Sequence, residues 1–204
     1  MKNIKELNQH YSKRKSDIKN RLKEFKKIKS KSKEILFIEL CFCLCTPLSK
    51  AKRVIEVINP ENKILLTKGS QKDIAGSLKG YARFHNNKAE YIVEARDKMH
   101  LLENLPSNNL KARDFLVENF KGLGLKEAAH FLRNTGYNNL AILDGHIINC
   151  LHGLGALKSN SRPTSKKQYE EMARRFKNFS KKVNIPLDEL DLLFWSSKTG
   201  CVLK

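Results

Sequence analysis

An all-α fold is what this sequence predicts, and three observations predict it. Apolar residues recur at three- and four-residue spacing along most of the chain, the period of helices with one buried face. No run of period-two alternation is present, so strands find no support. Only 10 Gly and 5 Pro occur in 204 residues, of which 40% are hydrophobic, so the chain is neither low-complexity nor disordered and can build a sizeable core. Roughly eight to eleven helices are expected, with no internal repeat.

The first element lies within residues 1–33, where Ile4, Leu7, Tyr11, Ile18, Leu22 and Phe25 form a stripe with one missing contact near Arg14. This reads as one amphipathic helix or two, with a very basic outer face. Glu34 to Cys45 is apolar on all sides and predicts a fully buried helix, ended by Thr46-Pro47 because the residue before a proline avoids helical geometry. Ser49 to Ile58 sets Ala51, Val54, Ile55 and Ile58 on one face. Ser70 and Asp73 have the spacing of a capping box and open a short helix through Leu78. Lys88 to His100 and Asn109 to Asn119 are helical, the second burying Ala112, Phe115 and Leu116. After a tight turn at residues 120–125, a helix runs from Lys126 to about Asn134 and closes at Gly136. Asp144 caps a helix through Ile147, Ile148 and Leu151. Thr164 to Lys182 aligns Tyr169, Met172, Phe176 and Phe179, and Pro186 to Ser197 aligns Leu187, Leu190 and Phe194.

Charge gives the first functional clue. Forty Lys or Arg against 21 Asp or Glu leave a net +19, and residues 1–33 hold 13 of the basic residues with 3 acidic ones. Such an excess points to a polyanion, most often nucleic acid. The longest apolar run, Ile35 to Cys45, is interrupted by Glu39 and too short to cross a bilayer, and no secretory pattern opens the chain. A cytoplasmic protein with a nucleic-acid partner is therefore expected, and charge alone does not separate DNA from RNA. Of five Cys, three (Cys41, Cys43, Cys45) alternate inside that run, which reads as reduced, buried thiols rather than a disulfide framework or metal site.

Two glycines around one apolar residue, Gly122-Leu-Gly124, lie between two apolar-striped helices. They allow a sharp turn whose exposed amides suit a phosphate, the pattern of a helix-hairpin-helix that grips a DNA strand without reading bases. Lys126 falls in the first turn of the second helix, where the helix dipole disfavours an ammonium and should lower its pKa. A neutral amine there is a nucleophile able to form a Schiff base; a plain phosphate contact is the competing reading. Asp144 follows three apolar residues at a helix start, so it reads as a substantially buried acid, as a simple cap, or as both.

Beyond these local patterns, the order Glu39-Leu-Cys-Phe-Cys43, Arg83-Phe84, Ala89-Glu-Tyr-Ile-Val93, Gly122-Leu-Gly-Leu-Lys126, His130-Phe-Leu-Arg-Asn134, Asp144-x-His146 and the tail from Asp188 to Lys204 resembles the type-2 archaeal and bacterial 8-oxoguanine DNA glycosylase/AP lyases. The match runs over nearly the whole chain. Two departures stand out: Leu48 where related enzymes often carry an amide, and Asn138-Asn139 in place of the Gly/Pro part of the signature loop.

The resemblance implies a two-lobed helical fold. Residues 1–33 with about 150–204 would form one lobe, and 34–149, carrying the hairpin and the Asp144 loop, the other. It implies a base-excision enzyme that flips 8-oxoguanine out of duplex DNA and removes it with Lys126 as Schiff-base nucleophile. Asp144 would stabilise the charge developing on the sugar, and the abasic strand would then be nicked by β-elimination. Arg83 and Phe84 would probe the gap left by the flipped base, although Phe84 alone also reads as a core aromatic. Trp195 would stack on the flipped purine and the α-carboxylate of Lys204 would accept from its edge. Gly122, Gly124, Lys121 and His146 are expected at the DNA backbone. No cofactor is expected and no metal, apart from a monovalent cation on the carbonyls of Phe120 and Leu123, as in some relatives. A monomer acting on double-stranded DNA is expected. Competing readings are a glycosylase for another lesion and a non-catalytic helix-hairpin-helix module.

Overall fold

The computed structural model describes residues 3–204, and every regular element among them is helical. The chain separates into two compact units, one made of Met1–Lys27 and Leu132–Lys204, the other of Ile28–Phe131. The sequence reading put its boundaries at 33 and about 150, so Asp144 falls with the C-terminal helices in the structural division. Among the described residues no helix is long and apolar enough to cross a membrane.

The Ile28–Phe131 unit is built around α2 (Lys33–Cys45). From Leu36 to Cys45 every residue of α2 is buried, Glu39 included, as nine apolar residues in ten require. Burying each large side chain contributes about 1.5–3 kcal/mol. Against α2 pack α3 (Ala51–Val57), α4 (Lys63–Lys68), α6 (His85–Arg96) and a 3₁₀ turn at Met99–Asn104. The helix α5 (Gln71–Leu78) opens on the Ser70/Asp73 capping box and lies against α6. Then come α7 (Asn109–Asn119) and α8 (Leu125–Asn134), the latter crossing the division between units.

Differences from expectation are local. The helix α4 was not foreseen, being too short for a full stripe. Ile55 is 39% exposed, because the three-turn face that Ser49–Ile58 suggested is cut to the two turns of α3. The expected Lys88–His100 helix starts earlier, at His85, and stops at Arg96, whose guanidinium turns away to the carbonyls of Leu66 and Leu65. Phe115 and Met172 are only half-buried.

In the other unit α1 (Ile4–Ile28) is one continuous helix burying Leu7, Ile18 and Phe25. Where the stripe skips, Arg14 donates to the Gly200 carbonyl at 2.8 Å, a polar contact in place of an apolar one. The helix α11 (Leu187–Thr199) is buried along most of its length and packs on α9 (Gly145–Gly153) and α10 (Lys166–Val183). Phe176 and Phe194 stack across the α10–α11 contact with centroids 6.2 Å apart.

Candidate active site and nucleic-acid interface

The hairpin forms as the glycine pattern requires. Asn108 caps α7 by accepting from the amides of Leu110 and Lys111, and Phe120 ends it with its N–H on the Leu116 carbonyl. Gly122 takes φ +88°, and a Cβ there would run into the Tyr91 ring, so both its conformation and its space demand glycine. Leu123 and Phe120 are buried beneath the turn, whereas Gly122 and Gly124 are exposed with their backbone. The Phe120 carbonyl, one of two expected cation ligands, accepts the Leu123 N–H at 3.2 Å.

Lys126 is the second residue of α8, directly behind this turn. Its side chain is 24% exposed, and Nζ lies 2.7 Å from Glu127 Oε1. A half-buried lysine held in place by its neighbour is a positioned amine rather than a free tether. Lys121 is engaged differently: its Nζ donates to Glu90 and Glu94 at 2.8 and 3.2 Å, and those bonds raise its pKa.

In the same unit the loops Thr46–Lys50 and Arg83–Phe84 meet, Arg83 N–H donating to Ser49 Oγ at 2.9 Å. Phe84 is 57% exposed with φ +56°, so it is not a core aromatic, and the Arg83 guanidinium sits 5.7 Å over its ring. The buried thiols of Cys41 and Cys45 behave as small hydrophobes: desolvation pushes Cys45 up to about 12 and Cys41 well above its ordinary range. Among the described residues no His, Cys, Asp or Glu cluster could hold a metal ion.

The unit containing α9 assembles a second group of expected site residues. Asp144 caps α9, its Oδ1 accepting from the amides of His146 and Ile147, each at 2.8 Å. It is half-buried, less than the apolar run before it suggested. Both cap bonds fall on Oδ1, which leaves Oδ2 outside the cap. The His146 ring is 5.1 Å from the Trp195 ring and its Nε2 is 2.8 Å from the Phe194 carbonyl, while Lys198 Nζ stands 5.2 Å over Trp195. Asp144, His146 and Trp195 are thus brought together, on α9 and α11.

Past α11 the tail is pinned rather than loose. Arg14 holds the Gly200 carbonyl, Arg21 reaches the Val202 carbonyl at 3.4 Å, and residues 201–204 are all half-buried. Lys204 therefore ends an anchored segment.

Sequence reasoning missed the buried charges. Arg133 and Asp191 pair at 3.1 Å with both side chains 3% exposed. The contact is out of hydrogen-bond alignment, so desolvation outweighs the guanidinium and pushes Asp191 up to about 7, with Asp144 and Asp188 adding repulsion. Burial likewise raises Asp188, which accepts from the Asn139 amide at 3.1 Å. Asn139 has φ +58°: here asparagine, which tolerates the left-handed region, does the work that the absent glycine would do. Lys88 is 5% exposed, and its only trace in the sequence is its register with Ile92 and Ala95 on the buried face of α6.

Two helices joined by a glycine turn, with a lysine in the first turn of the second helix, form a helix-hairpin-helix, and the comparisons below place the chain among DNA glycosylases that carry it. Residues 18–185 match the family model described as 8-oxoguanine DNA glycosylase. The chain is 39% identical to the 8-oxoguanine DNA glycosylase/AP lyase of Methanocaldococcus jannaschii, covering all of this chain and 99% of that one. It is 36% identical to the protein of the same description from Fusobacterium nucleatum, covering 98% and 96%. The crystal structure of the M. jannaschii glycosylase/lyase in complex with a 15mer DNA containing 8-oxoguanine superposes with a TM-score of 0.91 at 36% identity, covering 98% and 99%. That of the Thermotoga maritima 8-oxoguanine DNA glycosylase gives 0.92 at 33%, covering 98% of each chain. The chain belongs to the 8-oxoguanine DNA glycosylase family.

Proposed function

We propose that this protein is a bifunctional 8-oxoguanine DNA glycosylase and AP lyase acting as a monomer on double-stranded DNA in the cytoplasm, with Lys126 as its nucleophile. The observation that carries the assignment of the nucleophile is the half-buried Lys126 amine directly behind the Gly122–Gly124 turn. A turn whose amides hold the phosphate backbone sets an amine in the next helical turn near the sugar it must attack.

The target nucleotide must leave the stack, since C1′ is inaccessible in a duplex. The Lys126 amine, once deprotonated and released from Glu127, attacks C1′. The C1′–N9 bond breaks with its electron pair on the departing base, which takes up a proton. The ring then opens to an imine between Lys126 and C1′. Asp144 Oδ2, left outside the cap, offsets the positive charge on the sugar during bond breaking. The imine acidifies the 2′ hydrogen; its loss expels the 3′ phosphate and nicks the strand. Trp195, already beside His146, supplies a stacking face for the extruded purine, a contact of about 1–3 kcal/mol. The anchored tail brings the Lys204 carboxylate to the purine edge as a charged acceptor.

The test is a duplex with one 8-oxoguanine, incubated with and without borohydride. Wild type should excise, nick and be trapped covalently, whereas Lys126→Gln should bind the duplex and yield no trapped complex. Trapping of Lys126→Gln at wild-type yield would sink the assignment of the nucleophile.

A further inference from the structure

Leu48 and Phe84 are large apolar residues that nothing buries. Leu48 is 59% exposed at φ +57° and Phe84 57% exposed at φ +56°. The left-handed region costs a bulky residue about 1–2 kcal/mol. Each also forgoes the burial free energy that its side chain would contribute in a core. Beneath them lies a polar knot. The Lys88 ammonium donates to the carbonyls of Cys45 and Pro47 at 2.7 and 2.8 Å and is 2.9 Å from Ser49 Oγ, so all three of its N–H donors are used. Ser49 Oγ also accepts the Arg83 amide, at 2.9 Å. Leu48 and Phe84 each lie one residue from that last bond, so one buried cation fixes both tips.

We propose that Lys88 is a positioning residue: through Ser49 it braces the Thr46–Lys50 loop and the Arg83–Phe84 corner into a rigid double wedge for the DNA base stack. Duplex DNA is the occupant because exposed cations flank the tips in sequence, Lys50, Lys52 and Arg53 after Leu48 and Arg83 before Phe84, with the Arg83 guanidinium over the Phe84 ring. Apolar side chains flanked by phosphate-binding charges are the means by which proteins unstack base steps. A tip that pushes must not yield. An ammonium buried here at the cost of desolvation is explained by the three loop groups it locks, none of which an apolar core residue could hold.

This inference rests on the excision activity proposed above, and the experiment separates the two. Single-turnover excision from a fully paired 8-oxoguanine duplex is compared with nicking of a pre-formed abasic site, which has no base to unstack. Lys88→Met, Ser49→Ala, Leu48→Ala and the Lys88→Met/Leu48→Ala double variant are measured beside wild type, with thermal melts of each. Lys88→Met should slow excision about tenfold, equivalent to 1.4 kcal/mol, while abasic nicking stays within about twofold. Leu48→Ala should cost a similar factor and add little on top of Lys88→Met. 2-Aminopurine beside the lesion should brighten on binding wild type and stay quenched with Lys88→Met. If Lys88→Met does not fold, Ser49→Ala, which removes the hydroxyl joining Lys88 to the Arg83 amide but leaves the ammonium on the Cys45 and Pro47 carbonyls, carries the same comparison. Equal losses on both substrates, full additivity with Leu48→Ala, or a shifted pH profile of nicking would overturn the brace; the last would mean that Lys88 acts by repelling Lys126. Wild type inactive on both substrates would instead count against the excision reading.

Discussion

Asp144 caps α9, and the proposed function gives the same carboxylate a second task at the sugar; a single substitution separates the two. Oδ1 caps α9 through two amide bonds, and asparagine caps helices nearly as well as aspartate. Asp144→Asn should therefore leave the melting temperature almost unchanged while slowing base removal severely, because a neutral amide cannot offset charge on the sugar. A large melting shift with little rate loss per folded molecule would reduce Asp144 to a cap. At the other end of the chain, Lys204 closes a tail held by Arg14 and Arg21. A C-terminal tag removes its carboxylate, so excision of 8-oxoguanine should fall while nicking of a pre-formed abasic site is spared. An N-terminal tag should be neutral, and equal activity of the two tagged forms would show that the tail does not read the base.

At the scale of elements, the hairpin between α7 and α8 is where local rules and function coincide. Gly122→Ala would place a Cβ against the Tyr91 ring and force alanine into the left-handed region. A loss of about 1–2 kcal/mol from the backbone term alone is expected in denaturant unfolding. Affinity for undamaged duplex should drop as well, measured by fluorescence anisotropy, because the proposed phosphate contact needs the turn amides held in their present geometry. The elements that sequence reading recovered best, α2, α7 and α10, are those whose apolar pattern is unbroken or whose cap is a strong one. The helix α4 escaped because six residues make fewer than two turns, and α6 shifted because its start depends on the left-handed Phe84, which no propensity predicts.

At the scale of the whole molecule, stability should carry the mark of its buried acids. With Asp191 pushed up to about 7, the native state keeps a proton that the unfolded chain sheds near pH 4. Between about pH 4 and 7 the folded state therefore binds more protons, so this group's contribution to stability falls as pH rises through that window and levels off above it. Raised Asp188 adds with the same sign. Melting temperatures of wild type and Asp191→Asn across pH 5–8 should differ by this slope; parallel profiles would mean that Asp191 is ionised throughout. The sequence by itself determined the all-α class, the basic character, the buried α2, the glycine turn with Lys126 behind it, and the capping place of Asp144. Each of these depends on charge totals, periodicity or contacts within a few residues. Only the tertiary structure decided that Lys88 ties two loops, that Arg133 and Asp191 are buried together, that Phe84 stands in solvent and that the last residues are pinned to α1. The physical reason is the same for all four. A charged or apolar side chain takes its role from partners tens to nearly two hundred residues away, and those partners become neighbours only when the chain has folded.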